Sequence, residues 1–481
     1  MPLTLGPVLR CRIPFRLLVA AGGLVSGMAQ GHDSSYWSEQ FGSDATMLSG
    51  AVVAGVRDSS ATFYNPGALA FIDTPQLSVS ADAYGLESFT VADGAGSGAD
   101  LKASRTVVFP ALLATTVRFD GLPNQRVGYS LLTRKRFSFA VNGRRDERVN
   151  VLSDAREPGV EEYVGQYSSK GDITDLWGGL SWAWRVNANI GIGVTAYAGY
   201  YDLQLSESIV ARAIPVSGNA ALSDQSLIFG FSHLRALAKL GAAFDYAPFK
   251  FGLAATTGSL GITGKGTVAA DIAVANVDFV GDNSVRAFVA DDRQEGLKTT
   301  FKTPMSFSAG VDWTKDERTT LSLALEYFGK VDNYTMVTPD ARDFIRPAGA
   351  VALTTRDFLG VTDGAKAVTN VALGINYRFN DNLRILSGVR TDFSSAASSG
   401  NQLSPTMATW DIYHYSVGAI LDRKDTKVGV GFTISYGQDK DFSQPVNFSQ
   451  PTEANFLQGK RGTSKVTYLS TLLTVGFEKN Y

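Results

Sequence analysis

The sequence predicts an all-β chain, a transmembrane antiparallel β-barrel of about fourteen strands, on three observations. Beyond residue 29 there is no apolar run of the roughly 18 residues that a membrane-spanning helix needs. Apolar residues instead alternate with small or polar ones at a period of two, segment after segment. The links between these segments then alternate in length, short on one side and long on the other, as in bacterial outer-membrane barrels.

The chain has 481 residues, 49 of them Gly, with 19% charged residues and a net charge of −2. That length suits one large barrel as well as several smaller domains, and the lack of a basic excess argues against nucleic acid. Residues 1–29 read as a secretory signal peptide: Arg10, Arg12 and Arg16 are followed by an apolar core at 17–25 and the small-x-small site Gly27-Met28-Ala29. Export to the bacterial outer membrane follows. The only cysteine, Cys11, precedes that core, so the mature chain is expected to have no disulfide framework.

Residues 30–74 carry many small residues, Asp44, Arg57 and Asp58, and little alternation. The dense apolar stretch FYNPGALAF at 63–71 does not suit a disordered tail. A fourteen-stranded barrel tends towards an open channel, so this segment is expected to fold inside the lumen as a plug. Within it Asn65-Pro66-Gly67 is a turn by chemistry: Pro66 fixes φ, Asn65 is pushed out of the α region, and Gly67 permits positive φ.

The barrel is expected over 75–481, with strands at 75–91, 106–119, 126–143, 170–186, 189–210, 228–246, 249–262, 300–314, 318–335, 366–380, 382–393, 409–422, 427–438 and 464–478. Val371, Leu373, Ile375, Tyr377 and Phe379 share one parity; Ala372, Gly374, Asn376 and Arg378 share the other. A soluble antiparallel sandwich also alternates, but the alternation of link lengths favours a sheet that must close because hydrocarbon leaves no backbone edge hydrated. Trp182, Trp184 and Trp313 fall beside short turns, where a periplasmic aromatic girdle belongs. Their alternative, core tryptophans, needs an apolar interior that the alternation does not provide. Tyr481 ends the last strand in its apolar parity, a signal that suits the outer-membrane assembly machinery as a partner.

If the apolar parity meets outer-membrane lipid, the other lines the lumen. On the sixth strand it gives Phe229, Phe231, His233, Arg235, Leu237, Lys239 and Asp245, and on the third Arg134 and Arg136. Arg378, Arg384 and Arg390 face inward by the same rule. Rings for an apolar body and cations for a carboxylate make Arg134, Arg136, Phe229, Phe231, His233, Arg235 and Lys239 the candidate ligand-binding set. The alternative is that the cations pair with Glu326, Asp245, Asp312, Asp392 and the plug's own acids. His32, His233 and His414 have no zinc-site spacing, and no motif marks catalysis, so neither an enzyme nor a cofactor is expected.

Asp58 to Ala70, DSSAT followed by FYNPGALA, resembles the Asn-Pro-Ala turn in the N-terminal plug of the FadL-type long-chain fatty-acid outer-membrane transporters. Gly67 stands where that family usually has Ala, and GSDATMLSGAVVAGVR at 42–57 follows its Gly- and Ala-rich run only loosely. The resemblance implies passive uptake of hydrophobic or amphipathic small molecules, fatty acids or aromatic hydrocarbons. Ligand would be captured among the outer loops, held in a pocket over the plug and released sideways through the wall. A structural or adhesive barrel whose plug never moves is the alternative from another class. On the third strand, LLTRKRFSF at 131–139 puts Lys135 in the lipid-facing parity with Leu131, Phe137 and Phe139, at a cost of about 2–4 kcal/mol near the bilayer midplane. Snorkelling of Lys135 to the interface would relieve this cost; so would a bulge. The family's interrupted third strand favours the bulge, with an opening between Leu131 and Phe137 that faces Pro66 and Gly67.

Overall fold

The computed structural model describes residues 34–119, 121–347, 354–397 and 409–481. The expected leader, Cys11 and His32 lie outside the described residues. The wall begins with β1 (Gln76–Val91), β2 (Leu101–Val117), β3 (Gln125–Val149), β4 (Glu161–Arg185), β5 (Ile190–Ile214) and β6 (Ala221–Tyr246). Two broken strands follow, β7 (Phe249–Thr256 and Leu260–Val277) and β8 (Arg286–Lys298 and Ser306–Thr314). The ring continues through β9 (Thr319–Phe328), β10 (Val368–Asn380), β11 (Leu383–Asp392), β12 (Asp411–Arg423), β13 (Thr426–Ser443) and β14 (Thr463–Asn480). The sheet's 17 paired segments are thus fourteen wall strands, because β7 and β8 are each in two pieces and Ile345–Arg346 belongs to a loop. Sequential strands pair antiparallel, and β14 returns to β1 from Asn480↔Gln76 to Val466↔Val91, which closes the barrel.

The two faces of the wall exchange chemistry partway up. Low on β5 the outward residues are Ile192, Val194, Ala196 and Tyr200, and Gly191, Gly193 and Thr195 point in. Above Tyr201 the parity is unchanged, but Leu203, Leu205 and Ile209 are now buried inside while Gln204, Ser206 and Arg212 face out. The lower exterior therefore matches hydrocarbon, and the upper exterior matches water. Several strands have 25 residues, about 80 Å at the usual rise, far more than the 9–11 residues that cross a bilayer. This explains the largest differences from the expected boundaries. Much of 144–169, 211–227 and 263–299, read as loop, is strand, because above the lipid the outward face becomes polar and the signature of a membrane strand disappears. The barrel also has an apolar interior, contrary to the expectation from alternation: Phe137, Tyr163, Tyr167, Phe229, Phe448 and Leu457 belong to one upper core. Trp182, Trp184 and Trp313 nevertheless face outward.

The third strand is bulged between Thr133 and Lys135. The extra residue reverses the parity, so Lys135, Phe137 and Phe139 turn into the barrel while Arg136 turns out, opposite to the reading from alternation. Lys135 is 7% exposed and avoids the lipid. Pairing with β4 continues through the bulge, whereas pairing with β2 stops at Leu112↔Leu132. Pro110, which has no N–H to offer, lies beside the break, and Thr133 Oγ1 donates to its carbonyl at 2.8 Å. The unpaired edge thus runs upward from Thr133 on the β2 side only. Pro66 and Gly67 do not face it. They pack on β5 and β6, and a Cβ on Gly67 would sit 2.7 Å from Gly241 O and 2.8 Å from Gly191 O.

Residues 34–72 run inside the ring, through α1 (Ser43–Met47), α2 (Ala61–Tyr64) and the 3-10 turn Pro66–Phe71. Asn65 spends its whole amide here: Nδ2 donates to Val53 O (2.9 Å) and Ala242 O (3.0 Å), and Oδ1 accepts from Gly67 N (3.1 Å). Gly67 is not among the positive-φ residues, so close approach to the wall, not backbone freedom, is what requires it. Wall side chains hold the segment from all sides. Arg126 donates to Ile72 O (2.6 Å), Arg185 to Ala70 O (2.9 Å), Thr195 to Thr62 O (2.9 Å) and Arg390 to Trp37 O (3.0 Å). Arg384 bridges Asp44 (2.8 Å) and Asp422 (2.6 Å), and Arg57 pairs with Asp245 (3.0 Å). Arg378, expected inside, is exposed at the turn end of β10.

A cation is expected to cost most where the outward face is apolar. Leu180→Arg, on a side chain 63% exposed in that band, should lower stability by about 2–4 kcal/mol, and Gln204→Arg above it by about 0–1 kcal/mol. Guanidinium unfolding in lipid vesicles measures both; equal costs would mean that the faces do not exchange solvents between these levels.

Candidate functional site

Over the inner segment lies a pocket with about 880 Å³ of space, its mouth included. Its floor is Ser34, Tyr36 and Phe63, and its walls come from β3 to β9 together with the residues that leave β9, precede β10 and follow β11. Rings supply the apolar surface. Phe63 meets Trp177 edge-on at 6.4 Å, Tyr201 stacks on Phe301 at 4.1 Å, and Tyr36 stacks on Phe328 at 4.4 Å.

Five cations, Arg134, Lys135, Arg235, Lys239 and Lys302, share the lining with three acids, Asp175, Glu326 and Asp363. The acids are already engaged. Asp175 accepts from Arg235 (2.7 Å) and Trp177 Nε1 (3.0 Å); Glu326 accepts from Trp37 Nε1 and Ser306 Oγ, both at 2.7 Å. Asp363 accepts from Tyr334 OH at 3.0 Å, and its burial pushes the carboxyl above its ordinary range. Arg235, 1% exposed, is fixed by its ion pair and by the rings of Phe301, Tyr201 and Trp177 at 5.0, 5.8 and 5.8 Å. Arg134 donates to Tyr36 O at 2.5 Å and lies 5.6 Å from the Phe63 ring. Lys239 is buried, and among the described residues it makes neither an ion pair nor a hydrogen bond: its ammonium sits 4.5 Å from the centre of the Phe63 ring. With Glu326 attracting it only from a distance and no hydrogen-bond partner, this buried cation is short of an acceptor.

Of the seven expected ligand residues, Arg134, Arg235 and Lys239 line this pocket. Phe229, Phe231 and His233 are buried on the same face of β6 but higher. Phe231 stacks behind Tyr201 at 5.4 Å, and His233 Nδ1 meets Thr299 Oγ1 at 3.3 Å. Arg136 lies outside, beside the β2–β3 break, 5.9 Å from the Phe109 ring. Tyr36, Phe63, Lys135, Trp177, Tyr201, Phe301 and Lys302 escaped sequence reading. Trp177 and Tyr201 were open to it by parity; the others come from the inner segment, a bulge and a strand break. Among the described residues no group of three His, Cys, Asp or Glu could hold a metal ion.

No family model and no curated protein matches the chain. Solved structures do match. The Pseudomonas putida toluene transporter TodX is 15% identical with a TM-score of 0.57, covering 92% of this chain and 99% of that one. A Pseudomonas aeruginosa FadL homologue is 14% identical with a TM-score of 0.56, over 93% and 99% of the two chains. The Ralstonia pickettii toluene transporter TbuX is 13% identical with a TM-score of 0.52, over 92% and 99%. The chain has the fold of the FadL-type hydrocarbon transporters.

The buried ion pair gives a test of how the lining is held. Arg235→Leu leaves Asp175 without its cation and should cost about 3–5 kcal/mol, whereas adding Asp175→Leu should restore most of that loss. Thermal and guanidinium unfolding of the two variants measure the difference; equal losses would mean that Arg235 acts by packing alone.

Proposed function

We propose that the protein is a passive outer-membrane transporter for amphipathic small molecules with an apolar body and an anionic head. Lys239 carries this reading: a buried ammonium without an acceptor, facing a pocket of aromatic rings whose acids are occupied, is completed by a carboxylate. The rings take the body of the same molecule. The inner segment 34–72 acts as a plug, because polar contacts around the whole wall hold it across the lumen. Release is sideways, through the edge where β2 and β3 are unpaired above Leu112 and Leu132. That the fold neighbours include toluene transporters and a FadL homologue supports a transport role and not catalysis. The outer membrane is the matching location, with a signal peptide, outer-membrane lipid and the assembly machinery as its requirements.

The rival reading, a structural or adhesive barrel, draws support from the upper apolar core, whose buried side chains pack together above the pocket. Ligand chemistry separates the two. Lys239→Met should weaken decanoate binding by about ten-fold or more, the scale of a lost charge-assisted contact, and leave decanol binding within about two-fold. Calorimetry on the purified protein measures both. Equal losses would assign Lys239 to packing, and no binding of either by the unaltered protein would favour the rival.

Occlusion has its own test. Deleting residues 34–60 should leave a barrel that still assembles, because strand pairing closes the sheet, and should raise single-channel conductance in planar bilayers from near zero to that of an open pore. A folded deletion that stays non-conducting would mean that the segment does not block the lumen.

A further inference from the structure

Both β7 and β8 are broken at the level of the pocket. Between the pieces of β8, residues 299–305 turn their edge towards the chain that leaves β9. Backbone hydrogen bonds join these two edges at the top, Thr300 N to Met336 O (2.9 Å), and at the bottom, Gly329 N to Met305 O (2.9 Å). Among the described residues no backbone hydrogen bond crosses between 301–304 and 330–335. Pro304 has no N–H to give. The wall has a window here, and its rim is the pocket's own lining: Lys302, Thr303, Pro304 and Val331.

Side chains close it. Tyr334 lies across the opening, its OH accepting from Lys302 N (3.1 Å) and donating to Asp363 Oδ2 (3.0 Å), with the Lys302 ammonium 4.8 Å from its ring centre. These contacts can be exchanged without breaking the ring of strands. The exterior fixes the window's height. Below it Met305, Phe307 and Tyr327 are exposed and belong to the apolar band, with Met305 at 51%; on its own lower rim the Lys330–Asp332 pair is already exposed to water. The opening therefore sits at the boundary between hydrocarbon and water, where an amphipath dissolved in the outer leaflet holds its head.

We infer that this window is a side port through which the pocket exchanges amphipath with the outer leaflet, with Tyr334 as its gate and Lys302 as the first contact for the anionic head. The head would pass from Lys302 at the rim to Lys239 inside, and the body would move from lipid onto Phe301 and Phe63 without crossing water or the packed upper core. The port uses a stretch of wall separate from the β2–β3 edge. The inference rests on the proposal that the pocket binds amphipaths.

The test uses the full mature protein in nanodiscs and decanoate with a terminal trifluoromethyl group, followed by fluorine NMR exchange between lipid-dissolved and bound pools. Asp332→Cys, on the exposed rim and outside the pocket lining, is alkylated with a bulky maleimide after assembly, so folding is not perturbed; Ser138→Cys at the β2–β3 rim is treated alike. The expected results are exchange slowed on the order of ten-fold by the label at 332 with the bound population retained, a much smaller effect from the label at 138, and faster exchange in Tyr334→Ala. Unchanged exchange with the label at 332, or slowing only with the label at 138, would overturn the inference and leave the pocket assignment standing. A bound resonance missing from the unaltered protein would overturn the pocket assignment itself, and the port with it.

Discussion

Hydrocarbon cannot satisfy a peptide group, and this constraint organises the molecule: in the apolar band every backbone N–H and C=O must find a partner in the wall. β14 closes on β1 over its whole length for this reason. The departures from pairing are confined to places where water or a side chain can substitute. The β2–β3 edge opens only above Leu112 and Leu132, beside a proline and a threonine that supplies the replacement hydrogen bond. The β8 break lies where the exterior passes from Met305 and Phe307 to Lys330 and Asp332. Irregular wall and the lipid boundary coincide because the energetic cost of unpaired backbone falls there.

Exchange of the two faces gives the barrel two interiors. In the lower half the inner face is small or polar, so the segment 34–72 can lie against bare backbone at Gly67, Gly191, Gly193 and Gly241 while Arg126, Arg185, Arg384 and Arg390 bind its carbonyls and acids. In the upper half, the inner face is an ordinary hydrophobic core that extends into the loops through Phe448, Phe456 and Leu457. The pocket forms where these two interiors meet, which is why its lining mixes rings with cations. Cations and rings set only a few residues apart suit a molecule with one charged and one apolar end.

What could be read from the sequence follows from which interactions are local. Alternation revealed fourteen strands and the inward row of β6, because parity is carried by neighbouring residues. In β3 the misplaced Lys135 pointed to a bulge but not to its register: one inserted residue moved Lys135, Phe137 and Phe139 inside and Arg136 out, and nothing in LLTRKRFSF announces which residue is extra. Alternation lost the upper strands, where an outward face of Arg144, Asp146 and Arg148 against inward Arg145 and Glu147 reads as loop. Asn65 was visible as a turn former, yet its carbonyl partner on Ala242 was not, since no local pattern joins positions separated by 177 residues. Tyr36, Phe301 and Lys302 were missed for the same reason, and Phe229 and Phe231 were inward as expected but belong to the core above the pocket.

The central claim is that a buried, acceptor-poor cation among rings makes this pocket a site for a carboxylate with an apolar body. A crystal structure grown with bromine-labelled decanoate tests it most directly, since anomalous scattering locates the labelled chain. The account predicts the carboxylate within hydrogen-bond distance of Lys239 Nζ and the chain against Phe63, Trp177 and Phe301. Label found only on the lipid-facing exterior, with Lys239 hydrogen-bonded to water in an otherwise empty pocket, would contradict it.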